Sequence, residues 1–322
     1  MSTSQTVATT PARYMPAAAR PATSLYRDAW RRFRRNRAAL AGLAVIGLLA
    51  VVALAAPLIA PYHFAAQNMA AVRQAPTGAY LLGTDQLGRD IFSRLVYGAR
   101  VSLLVGFVVQ FMIVIIGVPV GLAAGYFGGK VDTVLMRLVD VLYAKPNLLF
   151  IIIIMTFLRA RFQQPNLGVF QPLKTFNDAS GGLLGVFIGL GLVSWLTVSR
   201  LVRGQVLSLK RKEYVEAARC IGASDPRIIA RHLLPNTLAV IIVATTLGIP
   251  SAILFESGIS FIGLGVNPPT PSWGSMIADG VEQLRGYPHM LISPALALSL
   301  TVLSFNFVGD GLRDALDPWM KR

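Results

Sequence analysis

The sequence predicts an all-α integral membrane protein with six transmembrane helices and a compact helical elbow in a cytoplasmic loop. Three observations carry this. Of 322 residues, 54% are hydrophobic and only 14% are charged. Several apolar runs reach the roughly 20 residues that a helix needs to cross a bilayer. With six spans drawn, Lys and Arg collect in alternate loops, about 21 on one side against about 8 on the other, which is the bias of cytoplasmic segments. The net charge of +15 could suggest nucleic acid, but the basic residues sit between apolar spans instead of on one module. The lipid bilayer explains them, and no nucleic-acid partner is expected.

In chain order, residues 1–38 form a cytoplasmic tail. Its first 25 or so are rich in Ala, Thr, Ser and Pro and are expected to be disordered. A basic flank follows, with Arg31, Arg32, Arg34, Arg35 and Arg37. The first span, 39–60, is too long for a signal peptide and lacks a cleavage site, so it is read as uncleaved. Residues 61–101 make a long external loop. Residues 102–308 hold five more spans, at 103–126, 139–158, 183–201, 237–257 and 291–308, with the elbow loop at 202–236. Residues 309–322 form a short tail, and the charge bias places both termini in the cytoplasm.

Two spans carry glycine at every fourth position: Gly117, Gly121 and Gly125 in the second, and Gly181, Gly185 and Gly189 leading into the fourth. Such ridges let helix backbones approach closely. Polar residues at membrane depth are functional candidates by default, and Gln110, Lys145, Glu256 and Asn306 are marked as candidates for a translocation pathway. Lys145 precedes Pro146, which kinks a helix and frees a carbonyl. Arg137 and Asp140 stand at i,i+3 and are read as a local ion pair.

Catalytic constellations are lacking. His63, His232 and His289 lie in separate loops with no metal-site spacing, and the single Cys220 excludes an internal disulfide or a cysteine cluster. GYFGGKV (125–131) resembles a phosphate loop, but Lys130 is followed by Val131 where Ser or Thr is needed. Gly258-Ile259-Ser260 has no intramembrane histidine to serve as base. The chain is therefore read as non-catalytic, with no metal and no cofactor of its own.

The elbow is EYVEAARCIGASDPRIIARHLLPN, 213–236. A first helix with Tyr214, Val215, Ala217, Ala218 and Ile221 ends at Gly222, a natural left-handed stop. Asp225 and Pro226 supply an N-cap and a first-turn proline for a second helix, expected to stop at Pro235. Glu216-Ala217-Ala218, then Gly222, then Leu234-Pro235 resembles the cytoplasmic signature loop of bacterial binding-protein-dependent ABC transporter permeases. LGTDQLGRDIFSRLVYGARVSL (82–103), SFIGLGVNPPTPSWGSMIADG (260–280) and GDGLRDALDP (309–318) resemble the second permease of the dipeptide, oligopeptide and nickel group. Two departures stand out: His232 replaces a common isoleucine before Leu-Pro, and His289 stands where a tryptophan often follows proline.

The resemblance implies a type I ABC importer permease fold. The elbow would be a coupling helix that docks into an ATPase subunit, with Tyr214, Ala217, Ala218 and Ile221 in the contact, Glu216 offering a carboxylate, and Lys210 at the rim. The implied partners are a homologous second permease, two ATP-binding subunits that bind ATP and Mg, and an extracytoplasmic solute-binding protein. The implied cargo is a dipeptide or oligopeptide; similar chains handle nickel, glutathione and certain sugars. The competing reading is an ion-coupled secondary transporter that works without an ATPase.

Overall fold

The computed structural model describes residues 25–164 and 167–316. The expected disordered tail, up to residue 24, and the final residues 317–322 lie outside the described residues. Among the described residues the chain is helical, with one isolated bridge between Thr84 and Asp90.

Short α1 (Leu25–Phe33) carries the basic flank and lays Phe33 against Ala39 and Ala315. Asn36 then caps α2 (Arg37–Leu54), its side chain accepting the Ala39 N–H at 3.1 Å. The expected first span is therefore a helix plus a further turn, α3 (Ala56–Ile59), in which Pro57 occupies the first turn. Asp90 caps α4 (Ile91–Phe127) by accepting the Ser93 N–H at 2.8 Å. At 37 residues α4 is about 55 Å long, so it begins well before the expected second span and extends beyond a ~30 Å hydrocarbon core.

The third span departs most from expectation. Instead of one kinked helix over 139–158, the chain forms α5 (Gly129–Tyr143) and α6 (Asn147–Phe162), set at 82° to each other. Pro146 is the reason: it donates no N–H, and it pushes Lys145 out of the helical region. After α7 (Gln171–Ala179), α8 (Leu184–Leu209) runs beside α4, α5 and α6. The expected Arg137–Asp140 pair does not form. Asp140 instead meets Arg200 at 2.7 Å, and Asp132 meets Arg203 in a bidentate pair at 2.5 Å. Two arginines three apart on α8 thus fasten α5 along its side.

The elbow comprises α9 (Glu213–Cys220) and α10 (Asp225–Ile228). A π-helical turn at Ile229–Leu233 then leads into α11 (Leu234–Phe261). Beyond α11 come α12 (Trp273–Glu282) and α13 (His289–Leu316), the latter continuing as far as Leu316 into the region expected to be a tail.

The glycine ridge of α4 forms a close seam against α8. A Cβ at Gly117 would lie 2.8 Å from the Trp195 carbonyl, at Gly121 2.5 Å from the Ser199 carbonyl, and at Gly125 2.8 Å from Val206 Cβ. The other ridge is shorter than expected, because α8 begins only at Leu184 and Gly181 sits in the preceding turn. Gly185 and Gly189 face Met155 and Ile151 of α6. In the GDGLRDAL stretch, Gly309 seats Leu247 of α11 and Gly311 seats Ala39 of α2, so this end of α13 is packed on two neighbours.

Candidate functional site: the elbow and its tethers

The elbow turns through a Schellman motif. The Gly222 N–H donates to the Arg219 carbonyl at 2.9 Å and the Ala223 N–H to the Ala218 carbonyl at 3.0 Å. Gly222 has φ +81°, as its position after the helix predicts. No atom lies within 4 Å of a Cβ built there, so a side chain at 222 meets conformational strain without a clash. Gly222→Val is expected to leave the protein in the membrane but to loosen the turn, at a cost of about 1–2 kcal/mol of left-handed strain. Gly222→Asn is expected to retain the turn. Limited proteolysis of the loop at matched membrane levels checks both.

Two interactions differ from the sequence reading. Asp225 is the first residue of α10, not its cap, and its carboxylate accepts the Tyr126 hydroxyl at 2.6 Å. Pro235 does not stop the second helix. The preceding π turn bonds the Leu234 N–H to the Ile229 carbonyl, and this wider turn accommodates the proline, so Asp225–Phe261 forms one 37-residue rod. The elbow is thereby continuous with a membrane helix.

The elbow is also tied to the end of α4. The Arg219 guanidinium lies over the Tyr126 ring at 5.3 Å, and Lys210 Nζ donates to the Gly125 carbonyl at 2.8 Å. Lys210 is therefore a tether instead of a rim residue. Val215, Ala218, Ile228 and Leu233 are buried in the same apolar cluster as Tyr126 and Val206. Of the four apolar residues expected at a docking contact, Ala218 faces inward. Tyr214 (41% exposed), Ala217 and Ile221 (86% exposed) face out, together with Glu216 and Cys220. Leu234 is half-buried and Pro235 exposed. His232, the unusual residue before Leu-Pro, sets its ring 6.2 Å from that of Tyr214.

The four pathway candidates sit on different elements of the bundle. Gln110 (5% exposed) presses its amide against Gly248 of α11, and Glu256 is wholly buried, its Oε1 accepting the Ser260 hydroxyl at 2.6 Å. Lys145 is half-buried at the α5–α6 break with Nζ over the Phe150 ring, on the α8 side of the bundle. Asn306 is half-buried on α13, which packs with α2 and α11. Among the described residues, no group of three His, Cys, Asp or Glu could hold a metal.

Sequence reasoning missed a second polar assembly, at the end opposite the elbow. Asp85 takes the Arg89 side chain at 2.6 Å and Arg94 at 3.4 Å, and both arginines reach Asp279 of α12 at 3.9 Å. Burial pushes the Asp279 carboxyl above its usual range, against the pull of Arg94 and Arg89. Trp273 donates its indole N–H to the Leu95 carbonyl at 3.1 Å and its backbone N–H to the Ser102 hydroxyl oxygen at 3.2 Å. The i,i+4 spacing of Asp85 and Arg89 was the available signal; Asp279, about 190 residues from the two arginines it meets, was not.

A family profile described as "Binding-protein-dependent transport system inner membrane component" matches residues 117–322, and one described as "N-terminal TM domain of oligopeptide transport permease C" matches residues 24–76. The chain is 41% identical over 304 residues to the dipeptide transport system permease protein DppC of Bacillus subtilis (strain 168), covering 94% of this chain and 88% of that one. It is 42% identical over 297 residues to the oligopeptide transport system permease protein OppC of Escherichia coli (strain K12), covering 92% and 91%. It is 38% identical over 299 residues to the glutathione transport system permease protein GsiD of Pectobacterium atrosepticum, covering 92% of each. In fold it is similar to a chain of the inward-facing MetNI methionine ABC transporter, with TM-score 0.53 and 20% identity over 70% of this chain and 98% of that one. With its membrane helices, elbow and loop motifs matched along nearly its whole length, the chain belongs to the permease family of binding-protein-dependent transport system inner membrane components.

Proposed function

We propose that the chain is one of two permeases forming the pathway of an ATP-driven importer of di- and oligopeptides. A homologous permease completes the pathway, two ATPase subunits dock at the elbow and bind ATP and Mg, and a solute-binding protein delivers cargo at the opposite end. Both termini lie in the cytoplasm of a bacterial plasma membrane. The relatives named for dipeptide, oligopeptide and glutathione transport support this cargo class, since glutathione is itself a short peptide. The observation that carries the coupling role is the elbow's construction. It exposes Tyr214, Ala217 and Ile221 on one side and is fastened to α4 and α11 on the other, so a partner that moves the elbow moves two membrane helices.

In this mechanism the chain hydrolyses nothing. ATP binding brings the docked ATPases together, and their differential contact with the elbow shifts the pathway between inward-facing and outward-facing states. The test is reconstitution of the permease pair with its ATPases and binding protein in proteoliposomes. Uptake of a labelled tripeptide is expected to need ATP and loaded binding protein and to persist with a protonophore. Uptake driven by an ion gradient without ATP would establish the secondary-transporter reading instead.

Orientation has its own check. A cysteine placed at Thr77 is expected to react with an impermeant maleimide from outside intact cells, while Cys220, although exposed, reacts only after permeabilisation. Labelling of Cys220 in sealed cells would reverse the assignment.

A further inference from the structure

At the end of the bundle opposite the elbow, a cavity of about 400 Å³ opens between α6, α7 and the loop after α11. That size lies within the range of small-molecule sites, about 300–1,000 Å³. Its floor is apolar, with Met155 and Phe162 from α6. Its walls carry side-chain amides, the buried Asn177 of α7 and Asn267 of the loop. Polar and charged side chains outnumber the apolar ones in its lining, so the cleft suits a charged ligand with a small apolar part.

The charges lining it are unequal. Lys174 is neutralised by Asp178, whose carboxyl its hydrogen bond holds below the usual range. Arg159 has no such partner. It is half-buried, its Nη1 donates to the Gly263 carbonyl at 3.3 Å and its Nη2 to the Gly265 carbonyl, and among the described residues no carboxylate pairs with it. Carbonyls hold the guanidinium in place without cancelling its charge, and they leave some of its five N–H donors free. A fixed, uncompensated guanidinium facing a cavity selects an anion, and its planar fork suits a carboxylate.

We propose that this cavity binds the C-terminal carboxylate of a short peptide in transit, with Arg159 as its counter-ion and the Met155–Phe162 floor receiving the adjoining side chain. The proposal rests on the peptide-importer reading above. Because Arg159 also holds the carbonyls of Gly263 and Gly265, an occupant would bear on the loop that joins α11 to α12.

The probe is a tripeptide with a central benzoylphenylalanine, photolysed with the purified complete transporter in nanodiscs and mapped by mass spectrometry. Labelling is expected on α6 between residues 155 and 162. Trialanine should compete at least about tenfold better than trialanine amide, the order expected of one charge-assisted pair. Arg159→Gln should abolish that preference, and Arg159→Lys should retain part of it. Labels mapping elsewhere, or equal competition by acid and amide on the wild type, would overturn the site without recourse to any variant. If Arg159→Gln instead weakens docking of the unloaded binding protein and leaves competition unchanged, the carboxylate belongs to that protein and the proposal fails. Tripeptide uptake by the same wild-type preparation separates the two readings: import without labelling of the cavity sinks only the site, and labelling without import sinks the importer reading.

Discussion

Ile221→Asp is expected to remove the ATPase subunits from the purified complex while leaving the permease folded. Ile221 is 86% exposed at the turn of the elbow, so its loss costs the fold little. In the docking proposed above the same side chain would be an apolar contact of the kind that carries about 2 kcal/mol or more of binding energy. A buried, unpaired carboxylate in its place adds a desolvation penalty of roughly 3–5 kcal/mol. Ala217→Arg on the same outward stripe should act alike. Ala218→Arg should instead lower the amount of folded permease, because Ala218 is enclosed with Val215, Ile228 and Leu233. Pull-down of the ATPase by detergent-solubilised permease at fixed salt, with expression matched, reads both effects. Wild-type recovery with Ile221→Asp would mean that the elbow is not the docking surface.

Gly121→Leu is expected to prevent assembly of the helix bundle. The Cβ alone would lie 2.5 Å from the Ser199 carbonyl oxygen and 2.7 Å from Val202 Cβ, so α4 and α8 must separate along their length. Helix association in a membrane depends on this close packing, since lipid supplies no hydrophobic drive between helices. Overpacking against backbone costs about 3 kcal/mol or more, and the parting seam would carry Gly117 and Gly125 with it. Gly47→Leu on α2 is the control, because nothing lies within 4 Å of a Cβ there. Thermal stability of the purified protein, followed by fluorescence-detected size exclusion, should fall sharply for the first and stay near wild type for the second. Equal stability would show that the ridge is not the seam.

The readings that held were those set by local chemistry. Gly222 adopts a positive φ because its place after a helix demands one, and the glycine ridge packs because a run without side chains has little other use at membrane depth. The readings that failed turned on partners far along the chain. Asp140 had Arg137 at a plausible spacing, yet it pairs with Arg200, which is sixty residues away and closer in space. Glu256 and Gln110 stand apart from these: they remain candidates for the pathway, and the packing of α11 against its neighbours encloses both in this structure.

What the sequence by itself determined was five of the membrane helices and the presence of the elbow, because hydropathy, charge bias and glycine spacing act within a few turns of chain, while the loop motifs marked the family. Orientation about each helix axis was decided only in the tertiary structure. On α9, Tyr214, Ala217 and Ile221 form one apolar stripe and Val215 and Ala218 another, about 100° around from it. Periodicity marks both stripes as apolar and ranks neither. The second is the inner one because Tyr126 and Lys210 anchor the elbow from that side, leaving the first as the surface free to meet a partner.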